Sequence, residues 1–128
     1  MKAVLDTSVL IGPLREEVID SIDEYAAPYI VRAELLRGRE HFARTPGLAH
    51  AARARTQLVE TLDLLPGFWL PFGAADSDAY ATLVATSEGA VRTKDALIAA
   101  QALALDVPLV TADRGFTRFT GLRVEYSE

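Results

Sequence analysis

The sequence predicts an α/β fold, in the form of a three-layer α/β/α sandwich around a mainly parallel sheet. Short apolar runs alternate with longer helical stretches along the chain, which is the pattern of parallel strands joined by crossover helices. No internal repeat, low-complexity tract or linker-like stretch divides the 128 residues. Half of the residues are apolar and 24% are charged, an ordinary globular composition. We therefore expect residues 1–128 to form a single domain with one hydrophobic core.

The first half of the chain contains two predicted strands, each followed by a helix. In order, these elements are a strand over residues 2–5, a helical stretch to about residue 24, a strand at 27–31 and a helix over 32–44. The spacing of four between Leu14, Val18 and Ile22 indicates the first helix. The sequence Thr45-Pro46-Gly47 breaks the second helix.

The second half continues the alternation of helices and strands. In order, the predicted elements are a helix over 48–65, a strand at 68–72, a helix over 76–89 with an Asp or Ser cap, a helix over 95–105, a buried strand within 107–113 and an edge strand at 122–126. Pro66-Gly67 ends the first of these helices, and Gly89 lies near the end of the second. "LRVEY" alternates apolar and polar residues, as an edge strand does.

Composition excludes several classes of protein. There is no cysteine, which rules out disulfides and thiolate metal sites. The apolar run before Asp6 is too short for a signal peptide, and no stretch approaches the roughly 20 apolar residues of a membrane helix. We therefore expect a cytoplasmic protein.

The net charge of −5 conceals a basic sector. Residues 15–24 hold five acids and one arginine, whereas residues 31–60 hold six arginines and three glutamates. A polyanion responds to the local field more than to the total charge. Five of these arginines are candidates for guiding the phosphates of a nucleic acid, with a solubilising helix face as the alternative. They are Arg37, Arg39, Arg44, Arg53 and Arg55.

Two acids, Asp6 and Asp113, fall at the ends of predicted strands. Sites in parallel α/β sheets lie at the carboxyl ends of the strands, so these positions are functional candidates. Each acid also has a local interpretation. Asp6 could cap the helix that follows it, and Asp113 could cap a short helix within "TADRGF".

Two further acids lie at the edges of predicted helices. Glu34 could be a surface residue paired with Arg32 or Arg37. Asp95 lies in the first turn of an alanine-rich helix, where an acid suits the helix dipole and where Thr93 could be the cap.

A fold that gathers all four acids requires protonation or a cation to offset their repulsion. Two unit charges about 5 Å apart repel by roughly 3 kcal/mol at an effective dielectric constant near 20. Without cysteine, the remaining ligands are oxygens, which favours Mg²⁺ or Mn²⁺ over zinc. A hard divalent ion in an acidic pocket is typical of phosphoryl chemistry.

Four stretches resemble the acidic blocks of the PIN-domain ribonucleases, and more narrowly those of VapC-type toxins from toxin–antitoxin pairs. They are "VLDTSVLI", "RAELLRG", "KDALIAAQA" and "LVTADRGF", within a resemblance that runs from residue 3 to about residue 125. The resemblance implies that the four acids hold Mg²⁺ (or Mn²⁺) and catalyse RNA hydrolysis by a metal-activated water. These acids are Asp6, Glu34, Asp95 and Asp113.

The resemblance also implies supporting residues and partners. Asp6 and Asp95 would hold the principal ion, and the other two acids would complete the site or hold a second ion. Ser8 and Thr111, and less directly Thr7, would supply supporting hydroxyls. A cognate antitoxin would cover the pocket, and the protein would form a homodimer.

Two other classes remain as alternatives. A receiver-type phosphoacceptor is also a small α/β domain with acids and Mg²⁺, but it requires adjacent acids after the first strand, where Leu5 and Thr7 flank Asp6. A partner-binding domain without nuclease activity remains if the four acids do not meet. A dinucleotide-binding fold is disfavoured because "DTSVLIG" lacks a glycine-rich turn.

Overall fold

Five short strands form one parallel sheet in this computed structural model, which describes residues 2–13, 15–87 and 89–128. They are β1 (Lys2–Leu5), β2 (Glu24–Pro28), β3 (Trp69–Leu70), β4 (Leu109–Thr111) and β5 (Val124–Tyr126). Their order in the sheet is β3-β2-β1-β4-β5, and every neighbouring pair is parallel. The predicted parallel sheet is therefore confirmed, including the place of β5 at its edge.

Six α-helices and one 3₁₀ helix connect the strands within the described residues. They are α1 (Thr7–Ile11), α2 (Glu16–Ser21), α3 (Tyr29–Ala43), α4 (Ala49–Asp63), α5 (Ala74–Thr86), α6 (Thr93–Leu105) and the 3₁₀ helix Arg114–Arg118. Helices cover both sides of the sheet, which confirms the three-layer sandwich. Helix α3 packs against α4, and α5 packs against α6.

The helical stretch predicted after β1 is wrong in one respect, because it consists of two short helices. Gly12 and Pro13 separate α1 from α2. A Cβ at Gly12 would lie 2.8 Å from the carbonyl oxygen of Ser8, so the chain leaves α1 where only glycine fits. The periodic pattern ran across this break, and Leu14, which belongs to that pattern, lies outside the described residues.

The second strand also differs from its predicted position. β2 ends at Pro28, and Tyr29 begins α3, so most of "APYIV" belongs to the helix. Proline has no N–H to continue a strand ladder and readily precedes a helix. The start of α5 is likewise earlier than predicted, with Gly73 as the N-cap. Asp76 accepts a hydrogen bond from the Gly73 N–H at 2.7 Å, so this acid caps the helix from a position within its first turn.

The centre of the core is formed by β1, β4 and α6. Val4 pairs with Leu109 and Leu5 with Val110, and all four side chains are buried. Helix α6 buries six residues, chiefly alanines, which allow it to lie close to the sheet. The strand order places β2 on one side of β1 and β4 on the other. The gap between the carboxyl ends of β1 and β4 is therefore the topological switch point, where α/β folds carry their sites.

No helix in the described parts of the chain is long and apolar enough to cross a lipid bilayer.

Candidate functional site

Asp6 lies at the switch point, directly after β1, with only 6% of its surface exposed. Its backbone N–H donates to the Val110 carbonyl at 3.0 Å, which extends the pairing with β4 by one residue. Its Oδ2 accepts hydrogen bonds from Thr111 Oγ1 at 2.8 Å and Ser8 Oγ at 3.0 Å. Although Asp6 occupies the N-cap position of α1, its side chain makes no capping bond. The capping interpretation of Asp6 is therefore wrong.

The two hydroxyl groups fix the Asp6 carboxylate in one orientation. Each donates its single proton to Oδ2 and accepts a backbone N–H in return: Ser8 Oγ from Ala112 and Thr111 Oγ1 from Asp113, both at 3.0 Å. No described residue donates a hydrogen bond to Oδ1 of Asp6. One oxygen of the carboxylate is thus fully engaged, while the other remains available as a ligand.

Glu34 reaches the site from the second turn of α3 and forms two polar contacts. Its Oε1 accepts a hydrogen bond from Thr7 Oγ1 at 2.7 Å, and its Oε2 accepts one from Lys94 Nζ at 2.8 Å. Neither predicted arginine is its partner, because Arg32 pairs with an acid of α4. The predicted local pairing of Glu34 with Arg32 or Arg37 is therefore wrong. Its cation comes from 60 residues further along the chain.

Asp95 lies in the first turn of α6, as predicted, and is mostly buried. Arg92 is the N-cap residue and Thr93 is already helical, so the predicted cap is displaced by one residue. Lys94 Nζ lies 3.9 Å from Asp95 Oδ1. No described residue donates a hydrogen bond to this carboxylate. The Asp95 side chain therefore depends on nearby charges rather than on direct partners.

The charges around Asp95 act in opposite directions. Burial raises the pKa of Asp95 above its usual value, and Lys94 opposes that rise. The negative charges of Asp113 and Asp6 raise the same pKa further, against the smaller effect of Arg92. Three of the four predicted acids thus lie close enough to influence one another electrostatically.

Asp113 lies on the exposed side of this group. Its Oδ1 accepts a hydrogen bond from the Gly115 N–H at 2.8 Å, which caps the 3₁₀ helix. The capping interpretation of Asp113 is therefore correct, and the residue still faces the site. A cleft of about 110 Å³ is lined by Arg92, Asp95, Asp113, Gly115 and Arg118.

The donor atoms suit a hard divalent ion, although the acids are not closed into a ligand cluster. In residues 2–13, 15–87 and 89–128, no group of three or more acid or histidine side chains is positioned to hold a metal ion. Glu34 is engaged by a hydroxyl and an ammonium group, and Asp113 by a backbone N–H. The available oxygens and the repulsion at Asp95 nevertheless fit a bound cation, and the Lys94 ammonium already lies beside Glu34 and Asp95. Convergence of all four acids on one ion stays a prediction.

Three cations near the acids were not identified from the sequence. Lys94 contacts two of the acids, while Arg92 and Arg118 line the cleft. Although burial lowers the pKa of Lys94, the hydrogen bond and charge of Glu34 raise it above its usual value. A sequence signal exists for two of them, because Arg92 and Lys94 closely precede Asp95.

The arginines of the basic sector have different surroundings. Arg39 and Arg44 both pair with Glu40, at 3.3 and 2.6 Å, so part of their charge is neutralised within α3. Arg37 and Arg53 are exposed and form no ion pair with any described residue. These two are the freest of the predicted phosphate contacts.

Arg55 is held against α3 instead of extending into solvent. Its guanidinium lies 5.3 Å from the centre of the Phe42 ring. It also lies so close to Gly38 that a Cβ there would be 2.2 Å from Arg55 Nη1. The absence of a side chain at Gly38 therefore makes room for this arginine between α3 and α4.

Comparisons with known proteins identify the family. The sequence matches the PIN domain family over residues 3–122. No curated protein sequence matches the chain. Among solved structures, VapBC-5 from Mycobacterium tuberculosis, a member of the VapBC family of toxin–antitoxin systems, is 31% identical with a TM-score of 0.78. That match covers 98% of this chain and 96% of the other.

Two more distant structures support the fold. VapBC2 from Rickettsia felis, bound to a DNA fragment from its promoter, is 20% identical, with a TM-score of 0.74 and full coverage of both chains. DNA-bound VapBC from Salmonella typhimurium is 22% identical, with a TM-score of 0.73 and coverage of 100% and 99%. The family match spans nearly the whole chain, and the chain therefore belongs to the PIN domain family as a VapC-type member.

Proposed function

We propose that this protein is a metal-dependent endoribonuclease that acts as the toxin of a toxin–antitoxin pair, with residues 1–128 forming one nuclease domain. The observation that carries the proposal is the position of Asp6 at the switch point, together with Asp95 and Asp113, which line one cleft. The negative charges of Asp6 and Asp113 also act on Asp95. Membership of the PIN domain family supports the same activity. Acids that lie close together repel one another and lower the stability of the fold. Such an arrangement is typical of functional sites.

In the proposed site, Asp6 and Asp95 hold Mg²⁺ or Mn²⁺, and Glu34 and Asp113 complete its coordination. When bound, the ion supplies Lewis acidity for phosphodiester hydrolysis and acidifies a water molecule. The chain's own part is to present oxygens in fixed positions. Ser8 and Thr111 do this for Asp6, whose orientation is set before any ligand arrives.

Arginines at and around the cleft are the proposed contacts to RNA. Arg92 and Arg118 line the cleft beside Asp95 and Asp113, within reach of a phosphate that approaches the acids. Arg37 and Arg53 are exposed on the basic sector and provide sequence-independent attraction. The remaining predicted arginines are weaker candidates, because Glu40 partly neutralises Arg39 and Arg44 and because Arg55 packs against Phe42.

A cognate antitoxin is the proposed protein partner. Several structures that resemble this chain are VapBC or other toxin–antitoxin complexes, which supports an antitoxin here as well. We also propose that the protein forms a homodimer and is located in the cytoplasm. A nuclease that is toxic to its own cell requires such a partner to restrain it.

The direct test is cleavage of a total RNA pool by the purified protein, in Mg²⁺, in Mn²⁺ and in EDTA. We expect cleavage only with metal, and none by Asp6→Asn. The matched control is Asp78→Asn, because Asp78 is an exposed acid on α5 that contacts no part of the site. Circular dichroism and thermal melting establish that both variants are folded.

Three outcomes would contradict the proposal. Equal cleavage by Asp6→Asn and wild type would show that Asp6 is not part of the catalytic site. Cleavage in EDTA would show that the reaction does not need a metal ion. A protein that cuts nothing but takes up a phosphoryl group from acetyl phosphate would support the receiver alternative.

A further inference from the structure

Lys94 is one of two lysines in the chain, and its ammonium group lies among the predicted metal ligands. We propose that Lys94 is an internal counter-ion that competes with the divalent ion for Glu34 and Asp95. This inference rests on the proposed function, because it assumes that these two acids bind a metal ion. It assigns to Lys94 the role of setting how tightly the ion is held.

The contacts of Lys94 differ from those of an ordinary surface lysine. Its Nζ lies 2.8 Å from Glu34 Oε2 and 3.9 Å from Asp95 Oδ1, and those two acid side chains are only 21% and 15% exposed. The other lysine, Lys2, lies 3.3 Å from Glu24 in a pair whose side chains are 70% and 64% exposed. Ion pairs as exposed as the second are screened by water and salt. The pair of Lys94 with Glu34 is better shielded.

An ammonium group and a divalent ion cannot both occupy the space between the same carboxylates. Glu34 Oε1 is engaged by Thr7, so Lys94 takes the second oxygen of that carboxylate. Two positive charges within a few ångströms repel one another strongly in a partly buried site. Full coordination by Glu34 therefore requires Lys94 to move away.

The chemistry of lysine suits a displaceable counter-ion. Its charge is a compact ammonium on a flexible four-carbon stem, and 39% of the Lys94 side chain is exposed. The group can thus leave the acids for solvent without disturbing the backbone of α6. In the metal-free protein it offsets the repulsion between the acids, and in the metal-bound protein that task passes to the ion.

The test is metal binding without RNA, measured by isothermal titration of Mn²⁺ and Mg²⁺ into metal-free protein. We expect Lys94→Met to bind the ions about tenfold more tightly than wild type, because a competing charge near the ligands is removed. Lys94→Gln, which keeps a hydrogen-bond donor, should show the same gain. Lys94→Arg, which keeps the charge, and Lys2→Met, which removes the other lysine, should resemble wild type.

Thermal melting of the same proteins gives a second readout. In EDTA, Lys94→Met and Lys94→Gln should melt below wild type, since the acids lose their counter-ion. The upward shift in Tm on adding Mn²⁺ should be larger for these two variants than for wild type. If Lys94→Met does not fold, Lys94→Gln carries the test.

The possible failures can be separated. If wild type binds the ions and the two neutral variants bind them equally or more weakly, the counter-ion role is overturned while the proposed nuclease site stands. Unchanged metal affinity with slower RNA cleavage would instead assign Lys94 to the substrate phosphate and overturn the competition. If neither wild type nor the variants bind metal, both this inference and the proposed function fail.

Discussion

Asp63 and Asp95 are the same kind of residue in opposite environments. Asp63, at the end of α4, accepts two hydrogen bonds from Arg32, at 3.0 and 2.9 Å, and one from Trp69 Nε1 at 2.7 Å. The bond from Arg32 is the main reason that the pKa of Asp63 lies below its usual value. Asp95 has no hydrogen-bond donor among the described residues, and burial raises its pKa.

The comparison distinguishes an acid whose charge stabilises the fold from an acid whose charge destabilises it. The charge of Asp63 is favoured by its neighbours, so it adds to stability at neutral pH. The charge of Asp95 is disfavoured by burial and by other acids, so it reduces stability. An unfavourable charge kept at a switch point is typical of a functional site.

The largest effect expected from this comparison is on RNA cleavage. Asp95→Asn should lower the rate of metal-dependent cleavage by about 100-fold or more, since it removes a proposed metal ligand. Asp63→Asn should leave the rate unchanged, because the hydrogen-bond donors to Asp63 among the described residues are Arg32 and Trp69, neither of which is a site acid. Rates of RNA cleavage at saturating Mg²⁺ measure both variants. Similar rates for the two variants would show that Asp63 and Asp95 do not differ in their contribution to cleavage.

A second prediction concerns Asp6, a site acid that does have direct partners. Thr111→Val should destabilise the protein by about 1–3 kcal/mol, because Thr111 is fully buried and both Asp6 and the Asp113 N–H lose a hydrogen bond. Thr56→Val is the matched control, since the Thr56 hydroxyl donates to the Ala52 carbonyl of its own helix. Urea denaturation measures both. Equal small losses would mean that Thr111 does not hold Asp6.

A third prediction is that neutralising Asp63 and neutralising Asp95 change the stability of the protein in opposite directions. Asp63→Asn should lower the free energy of unfolding by about 0.5–1 kcal/mol, a modest loss because the ion pair with Arg32 is about one-third exposed. Asp95→Asn should raise it in metal-free protein at pH 7, because it removes a disfavoured charge. Urea denaturation in EDTA gives both values. A loss of stability in Asp95→Asn would contradict the assignment of its charge as unfavourable.

The smallest effect is the dependence of these differences on pH. Because the pKa of folded Asp63 is lowered, its contribution is present above the unfolded pKa of about 3.9 and is lost as pH falls through the folded pKa. Because the pKa of folded Asp95 is raised, its cost is present above the folded pKa and disappears as pH falls toward about 3.9.

Thermal melting of the two variants in EDTA, from about pH 7 to pH 3, tests these directions. Asp95→Asn should converge on wild type at a higher pH than Asp63→Asn does. Convergence in the reverse order would contradict both pKa directions.

Sequence patterns predicted the sheet well because β1 and β4 contain short apolar runs, residues 3–5 and 109–110, each followed by an acid within three residues. The patterns failed where backbone chemistry overrides periodicity. Gly12 and Pro13 split a helix whose apolar spacing ran on, and Pro28 ended a strand whose apolar residues continued into α3.

The site was harder to predict because its decisive contacts join distant residues. The positions of the acids at the ends of elements could be inferred from local sequence. The partner of Glu34 could not, since Lys94 lies 60 residues away and Arg37 is much nearer in sequence. Likewise, a helix cap and a hydroxyl-bound carboxylate look the same at Asp6 until β4 is placed beside β1. Sequence spacing gives candidates, and tertiary packing chooses between them.

The pairing of β1 with β4 has a consequence for the order in which the molecule is made. Thr111 follows Asp6 by 105 residues, so the first acid of the site emerges from the ribosome long before the hydroxyl that orients it. A nascent chain therefore carries an incomplete site until Thr111 has left the ribosome. Under the proposed function, the enzyme cannot become competent before Thr111 has been made and β4 has paired with β1.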